Sequence, residues 1–238
     1  MKNLLINITS DKKFNYEHSI TSKIQIENSL GLGWKKEDIL IVTNFSFEYM
    51  GISSIVIDDD TYCDVHPRAS KINAILKLFE KNIILKDEIY WYHDFDAFQT
   101  QEFNEIEEMI NDYDLGLTDY GWSEKWNTGS FFFKHSSRDI FEEVKKEVYK
   151  NNFSEEMGFM AISDEKIKSR WKRLNISYNF GVRKILYNYN LANKTVNVAH
   201  FHPCKIRHLN LFLNGQNDAN TILLPEGLIK IFNKYGFK

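Results

Sequence analysis

Two carboxylates, Asp94 and Asp96, stand one residue apart directly after the run Ile89-Tyr90-Trp91-Tyr92-His93. In extended backbone successive side chains alternate faces, so these two point to one side and Phe95 to the other. Like charges held side by side repel unless a cation lies between them, and oxygen ligands suit Mg²⁺ or Mn²⁺. The C-terminal end of a core strand is also where open α/β sheets bind their ligands. The chemistry implied is a divalent cation holding a phosphorylated substrate.

Other groups compete for a part in such a site. Arg68 and Lys71 fall in the first turn of a helix predicted from Pro67 and from Ile72, Ile75, Leu76 and Phe79. Cations are disfavoured there by the helix dipole. A bound diphosphate would offset this, and plain solvent exposure is the competing explanation. The loop Tyr120 to Gly129 holds Tyr120, Trp122 and Trp126, either buried or forming a wall for a sugar or base. Lys166, Arg170 and Arg173 make the most basic segment, either a solvated helix face or a contact for phosphate or an acidic acceptor. Asp58-Asp59-Asp60 reads as a solvated turn, because consecutive residues cannot all face one ion. Gly31-Leu32-Gly33 follows a helix and reads as its stop, not as a phosphate loop.

The elements that must position these groups alternate. Leu4 to Ile8, Ile39 to Thr43, Gly51 to Ile57, Ile89 to His93, Asp114 to Leu117, Ser130 to Lys134 and Val196 to Phe201 read as strands. Helical spacing covers Glu17 to Leu30, the segment after Pro67, Phe103 to Ile110, Arg138 to Lys150, residues 155 to 174, and a last helix opened by Pro225. Ser136 and Asp139 read as a capping pair, and Ile167, Trp171 and Leu174 as one helix face. This alternation predicts a mostly parallel α/β sheet in one domain.

Composition narrows the rest. At 238 residues and 43% hydrophobic the chain can bury a sizeable core, and a net charge of −3 gives no general attraction to nucleic acid. Two cysteines make no disulfide framework, and the N-terminal apolar run is too short for a signal peptide. With no run of membrane-spanning length, a cytoplasmic protein is expected, and peripheral membrane contact stays open.

In order and spacing these segments resemble the GT-A-fold, nucleotide-sugar-dependent glycosyltransferases. Tyr92-His93-Asp94-Phe95-Asp96 is similar to their DxD motif. Trp126-Asn127-Thr128-Gly129-Ser130 is similar to the Asn-x-Gly segment that leads into a strand under the donor sugar. Ser163-Asp164-Glu165 and Tyr178-Asn179-Phe180 resemble the acidic pair and downstream Tyr-Asn of retaining members. Val198-Ala199-His200-Phe201-His202-Pro203 with Lys205 resembles the late His-Phe segment. The resemblance spans residues 3 to 208.

The resemblance implies a GT-A-like (Rossmann-like) α/β fold over residues 1–238, with a nucleotide-binding part over roughly 1–100 and an acceptor-side part over roughly 101–238. It implies Mn²⁺ or Mg²⁺ as cofactor, held by Asp94, Asp96 and His200. A nucleotide-sugar donor, more readily a UDP-sugar, would meet Asp94, Thr9, Lys71, Asn127, Gly129 and Lys205, with Asp164 and Asn127 nearest the chemistry. The acceptor would be a glycan or another hydroxyl compound, with no nucleic acid as main partner. The late segment departs from the pattern, since His202-Pro203-Cys204 stands where a glycine is usual. Both His200 and His202 are therefore candidate ligands, His200 being the one next to Phe201, and retaining or inverting chemistry is left open. Rival readings are a phosphohydrolase or phosphotransferase using Asp94 and Asp96, a non-catalytic nucleotide-sugar-binding domain, and a zinc module on His200, His202, Cys204 and His208.

Overall fold

The apolar run ending at His93 is continuous because both of its faces are covered, as expected of a strand inside an α/β sheet. In the computed structural model, which describes residues 1–162, 164–182, 185–201, 210, 213 and 224–237, with the backbone alone at 186 and 187, it lies at the centre of a seven-stranded sheet. The elements in chain order are β1 (Lys2–Asn7), α1 (Tyr16–Gly31), β2 (Ile39–Thr43), β3 (Glu48–Tyr49), β4 (Ile52–Ser53), β5 (Ile55–Val56), α2 (Ser70–Glu80), β6 (Ile89–His93), β7 (Ala97–Gln99) and α3 (Ile106–Met109). There follow β8 (Leu115–Asp119), β9 (Trp126–Lys134), α4 (Arg138–Asn151), α5 (Glu155–Ala161), α6 (Glu165–Lys168), β10 (Trp171–Arg173), β11 (Phe180–Gly181), α7 (Ile185–Asn188), β12 (Val198–His200) and a C-terminal helix, Glu226–Lys234.

The sheet order is β10-β8-β9-β6-β1-β2-β5, and β9 alone runs against the other six strands. Alternation sorts the core residues cleanly. Leu4, Ile6, Tyr90, Tyr92, Phe131 and Phe133 face α2, α4 and α5, packing with Ile72, Phe79, Phe141 and Phe159. On the other face Leu5 packs with Ile26 of α1, while Trp91 and Phe132 pack with Ile106, Ile110 and Leu174.

A second sheet, β11-β12-β7, crosses the C-terminal edge of β6 and sets His200 opposite Ala97. The C-terminal helix closes it, with Phe232 edge-on to Phe98 at 5.0 Å. No helix among the described residues is long and apolar enough to cross a membrane.

Four sequence expectations change. Residues 155 to 174 are not one helix. Ile162 leaves α5 in extended geometry, Asp164 caps the short α6, and Trp171–Arg173 pairs with β8 as an edge strand. Gly51 to Ile57 is not one strand, because Met50 and Gly51 turn at φ 54° and 76° to make a β3-β4 hairpin before β5. β9 begins at Trp126 and takes Asn127 to Gly129 into the strand. Ser136 and Asp139 do not cap α4 through a side-chain bond; the Ser136 hydroxyl donates to Asp114.

Candidate active site

The reversal of β9 creates the site. Its first residues lie beside the last residues of β6: Ser130 pairs with His93, and the Asp94 N–H donates to the Gly129 carbonyl at 2.8 Å. Asn127, Thr128 and Gly129 therefore meet Asp94 and Asp96 across one strand spacing.

The loop carrying the two carboxylates is tied at nearly every carbonyl. Ala97 N–H donates to Asp94 O at 3.0 Å, and Phe201 N–H donates to Asp96 O at 2.9 Å. The Gln25 amide donates to Phe95 O at 3.2 Å and to Ala97 O at 2.9 Å. His93 lies beneath, stacked on Trp91 at 3.8 Å. Burial lowers its pKa to about 4, so a neutral ring donates from Nδ1 to Ala97 O at 2.9 Å.

Lys71, at the second residue of α2, is buried and neither solvated nor a free dipole clash. Its Nζ lies 3.1 Å from Asp94 Oδ1, 3.2 Å from Glu155 Oε1 and 3.1 Å from the Thr128 carbonyl. Burial by itself lowers the ammonium's pKa, but Asp94, Tyr92 and Glu155 together hold it well above the ordinary lysine value. Burial likewise raises Asp94, and Lys71, His200 and the Tyr92 hydroxyl at 2.5 Å outweigh it and hold the carboxyl at about 2.

His200 arrives from β12. Its Nε2 lies 3.4 Å from Asp96 Oδ1, and its Nδ1 lies 2.9 Å from the Asn179 side-chain oxygen. Asn179 is fixed in turn by donating to the Asn127 carbonyl at 3.0 Å. Burial lowers the imidazole's pKa, and Asp96 pushes it above its ordinary value. The ring lies against Gly129: a Cβ there would sit 2.1 Å from His200 Cε1. Only glycine fits this position.

One ligand atom each from Asp94, Asp96 and His200 lie within 4.8 Å of one another. Two hard carboxylates and an imidazole make a donor set that fits a divalent cation. An ionised Asp94, a turned-in Asp96 and a ring held by Asn179 already converge, so these residues fit a divalent metal ion.

The cluster lies on the floor of a cleft of about 730 Å³, within the range of small-molecule sites. The β1 exit loop, including Thr9 and Asp11, forms one end, with Asn15 and His18 of the α1 start. Tyr120, Glu155 and Glu156 form the other. Thr9, Lys71, Asp94, Asp96, Asn127, Gly129 and His200 all line this one cleft. Asp164 is not among the lining residues: it is exposed, and its Oδ1 accepts from Lys166 N at 2.8 Å as the cap of α6. Lys205 and His202, with Ser163, Cys204 and His208, lie outside the described residues.

Two acids were missed in the sequence. Glu155 is 3% exposed; its Oε1 accepts from Thr128 Oγ1 at 3.1 Å and faces Lys71, while Oε2 has no hydrogen-bond partner among the described residues. Glu156 accepts from the Tyr120 hydroxyl at 2.6 Å, and burial pushes its carboxyl up against that bond. Ser154 caps α5 just before them, so in sequence both read as ordinary first-turn acids.

Superposition on solved structures identifies the architecture. An active-site mutant of LgtC matches with a TM-score of 0.61 over 99% of this chain and 95% of that one, at 14% identity. A glycosyltransferase involved in glycosylation of the major capsid of PBCV-1 matches with a TM-score of 0.59 over 85% and 94%, at 12% identity. This is the GT-A fold. The galactosyltransferase LgtC in complex with donor and acceptor sugar analogues matches with a TM-score of 0.58 over 97% and 100%, at 13% identity. No family model and no curated protein sequence matches the chain. Within the GT-A fold, Asp94-Phe95-Asp96 fits the DxD motif, at the end of a central strand.

Proposed function

We propose that the chain is a metal-dependent glycosyltransferase that moves a monosaccharide from a nucleoside diphosphate sugar, with UDP as the nucleotide, to a hydroxyl acceptor. The observation that carries this reading is the convergence of Asp94, Asp96 and His200 on the floor of a cleft in the GT-A fold. In the reaction the bond from the anomeric carbon to the diphosphate oxygen breaks, and its electron pair leaves with the diphosphate. The acceptor oxygen bonds the anomeric carbon and its proton is released.

A divalent cation bound at Asp94, Asp96 and His200 supplies positive charge for the departing diphosphate. The mixed carboxylate and imidazole set favours Mn²⁺ over all-oxygen Mg²⁺ in this reading. Thr9 belongs to the nucleotide end. Asn127 and Gly129 floor the sugar pocket, and Lys71 keeps Asp94 ionised while adding positive potential beneath the diphosphate. Glu155 and Glu156, which line the cleft, take the place near the sugar that sequence reading gave to Asp164.

The test is a thermal-shift panel of nucleotide sugars with and without Mn²⁺, on the wild type and on Asp96→Ala. A ligand at 100 times its Kd adds about 2.7 kcal/mol, so one nucleotide sugar should raise the wild-type midpoint only with Mn²⁺, and should not do so in the variant. Wild type indifferent to every nucleotide sugar would sink the proposal. Release of inorganic phosphate in place of nucleoside diphosphate would favour a phosphohydrolase.

A further inference from the structure

We propose that Gln25 is a positioning residue for the metal site: from the buried face of α1 its amide stands in for a neighbouring strand and fixes the backbone on both sides of Asp96. This rests on the metal reading above.

The stripe that α1 buries is largely polar. Thr21, Ser22, Gln25, Asn28 and Ser29 are buried alongside Ile24 and Ile26. A polar group taken out of water costs free energy unless it is hydrogen-bonded. Gln25, 1% exposed, finds its partners 70 and 72 residues away, at Phe95 O and Ala97 O, 3.2 and 2.9 Å from its amide nitrogen. One helical turn on, the Asn28 amide donates to Gln99 O at 2.8 Å.

These acceptors form one row. β7 ends its sheet and pairs with β12 on one side. The even-numbered residues turn their backbone groups toward β12: Asp96 O accepts from the Phe201 N–H at 2.9 Å, and the Thr100 N–H donates to Asn197 O at 2.9 Å. Backbone groups alternate sides along a strand, so the carbonyls of Phe95, Ala97 and Gln99 point the other way, where a next strand would lie. α1 lies there instead. Gln25 and Asn28, three residues apart on one helix face, supply the donors that a strand would have supplied.

The two amides hold different things. Gln25 brackets Asp96, with one bond to the carbonyl before it and one to the carbonyl after it. Asn28 holds the far end of β7, past the carboxylate loop. The ligand oxygens of Asp94 and Asp96 lie within 4.8 Å of each other, a separation at which two carboxylates repel. With Gln25 on one side and the Phe201 N–H on the other, the Asp96 backbone cannot drift to relieve that repulsion. A ligand loop ordered before the ion arrives loses less entropy on binding.

The experiment titrates Mn²⁺ into the full chain with UDP, beside a protein-free UDP control, and reads the EPR signal of free Mn²⁺. The proteins are wild type, Gln25→Met, Gln25→His and Asn28→Leu. Gln25→Met keeps the length of the side chain and removes both donors, and it should weaken Mn²⁺ binding about tenfold. Gln25→His keeps one N–H at similar reach and should weaken it less. Asn28→Leu should lower the thermal midpoint as Gln25→Met does, because each leaves one backbone carbonyl without this donor while His93 still serves Ala97 O. It should nevertheless bind Mn²⁺ like wild type. Unchanged Mn²⁺ affinity in Gln25→Met, or in Gln25→His should the methionine variant not fold, overturns the assignment. An equal loss of affinity in Asn28→Leu also overturns it, by making both amides general supports of the fold. A wild type that takes up no Mn²⁺ with UDP overturns the metal reading, and this assignment with it.

Discussion

Two cations in this molecule each sit between two carboxylates, and they do different work. Lys71 is buried between Asp94 and Glu155 at the cleft floor. Arg170, about a third exposed, lies between Asp114 and Asp139 on the far edge of the sheet. Arg170 meets Asp139 with two nitrogens, at 2.6 and 3.0 Å, and also donates to the Ser136 carbonyl. The polar atoms of that cluster are answered by neighbouring protein groups, and its effect is to fasten β10 to the start of α4. At Lys71 the ammonium is fully engaged, yet Glu155 Oε2 is left without a partner among the described residues and Asp94 stays about a third open to the cleft. Arg170 closes a surface network, whereas Lys71 holds the Asp94 carboxyl ionised where it still faces the cleft.

The comparison can be broken by substitution, beginning with its most sensitive point. Lys71→Ala leaves two carboxylates buried against each other, so it should cost about 3–5 kcal/mol in urea unfolding at neutral pH. A loss below about 1 kcal/mol would place Lys71 in the same class as a surface pair. Gly129→Ala should cost about 1–3 kcal/mol, because the His200 ring must leave its seat. The same variant should lose the Mn²⁺-dependent thermal shift, and a retained shift would remove His200 from the metal site. Arg170→Ala should cost about 1 kcal/mol, with Arg170→Lys recovering only part, since an ammonium cannot pair with Asp139 through two nitrogens.

The smallest effect is one of pH. The Arg170 guanidinium holds the Asp139 carboxyl below its ordinary value of 3.8. A depressed carboxylate contributes stability above its unfolded pKa and loses it as pH falls through the folded one. Wild type should therefore exceed Asp139→Asn by about 0.5 kcal/mol at neutral pH. The two should converge in acid, and a gap that persists there would assign the effect to packing.

What the sequence revealed follows the length of the signal. The carboxylate pair, its strand, the Asn127 to Gly129 segment and His200 were legible because each is attached to a strand with a strong apolar pattern. The single helix expected over residues 155 to 174 was misread because Ile167, Trp171 and Leu174 imitate a helix face, and the three-residue β10 is too short to display its own period. Glu155 and Glu156 were hidden as commonplace helix-opening acids; their meaning comes from Lys71, which lies more than 80 residues earlier. The cluster of Tyr49, Glu27, Lys234 and Tyr235 that ties the C-terminal helix to α1 was equally silent, since its partners are up to 208 residues apart.

The lone reversed strand also sets an order of assembly. β9 slots between β6 and β8, both of which precede it in the chain. A nascent polypeptide that has emerged only as far as β8 carries β6 as an open border, with its backbone N–H and C=O groups on that side unpaired and no Gly129 carbonyl to seat Asp94. Such a border invites pairing with other chains, so the interval before β9 docks is when this protein is most exposed to aggregation. Completion of the sheet and maturation of the carboxylate site are one event.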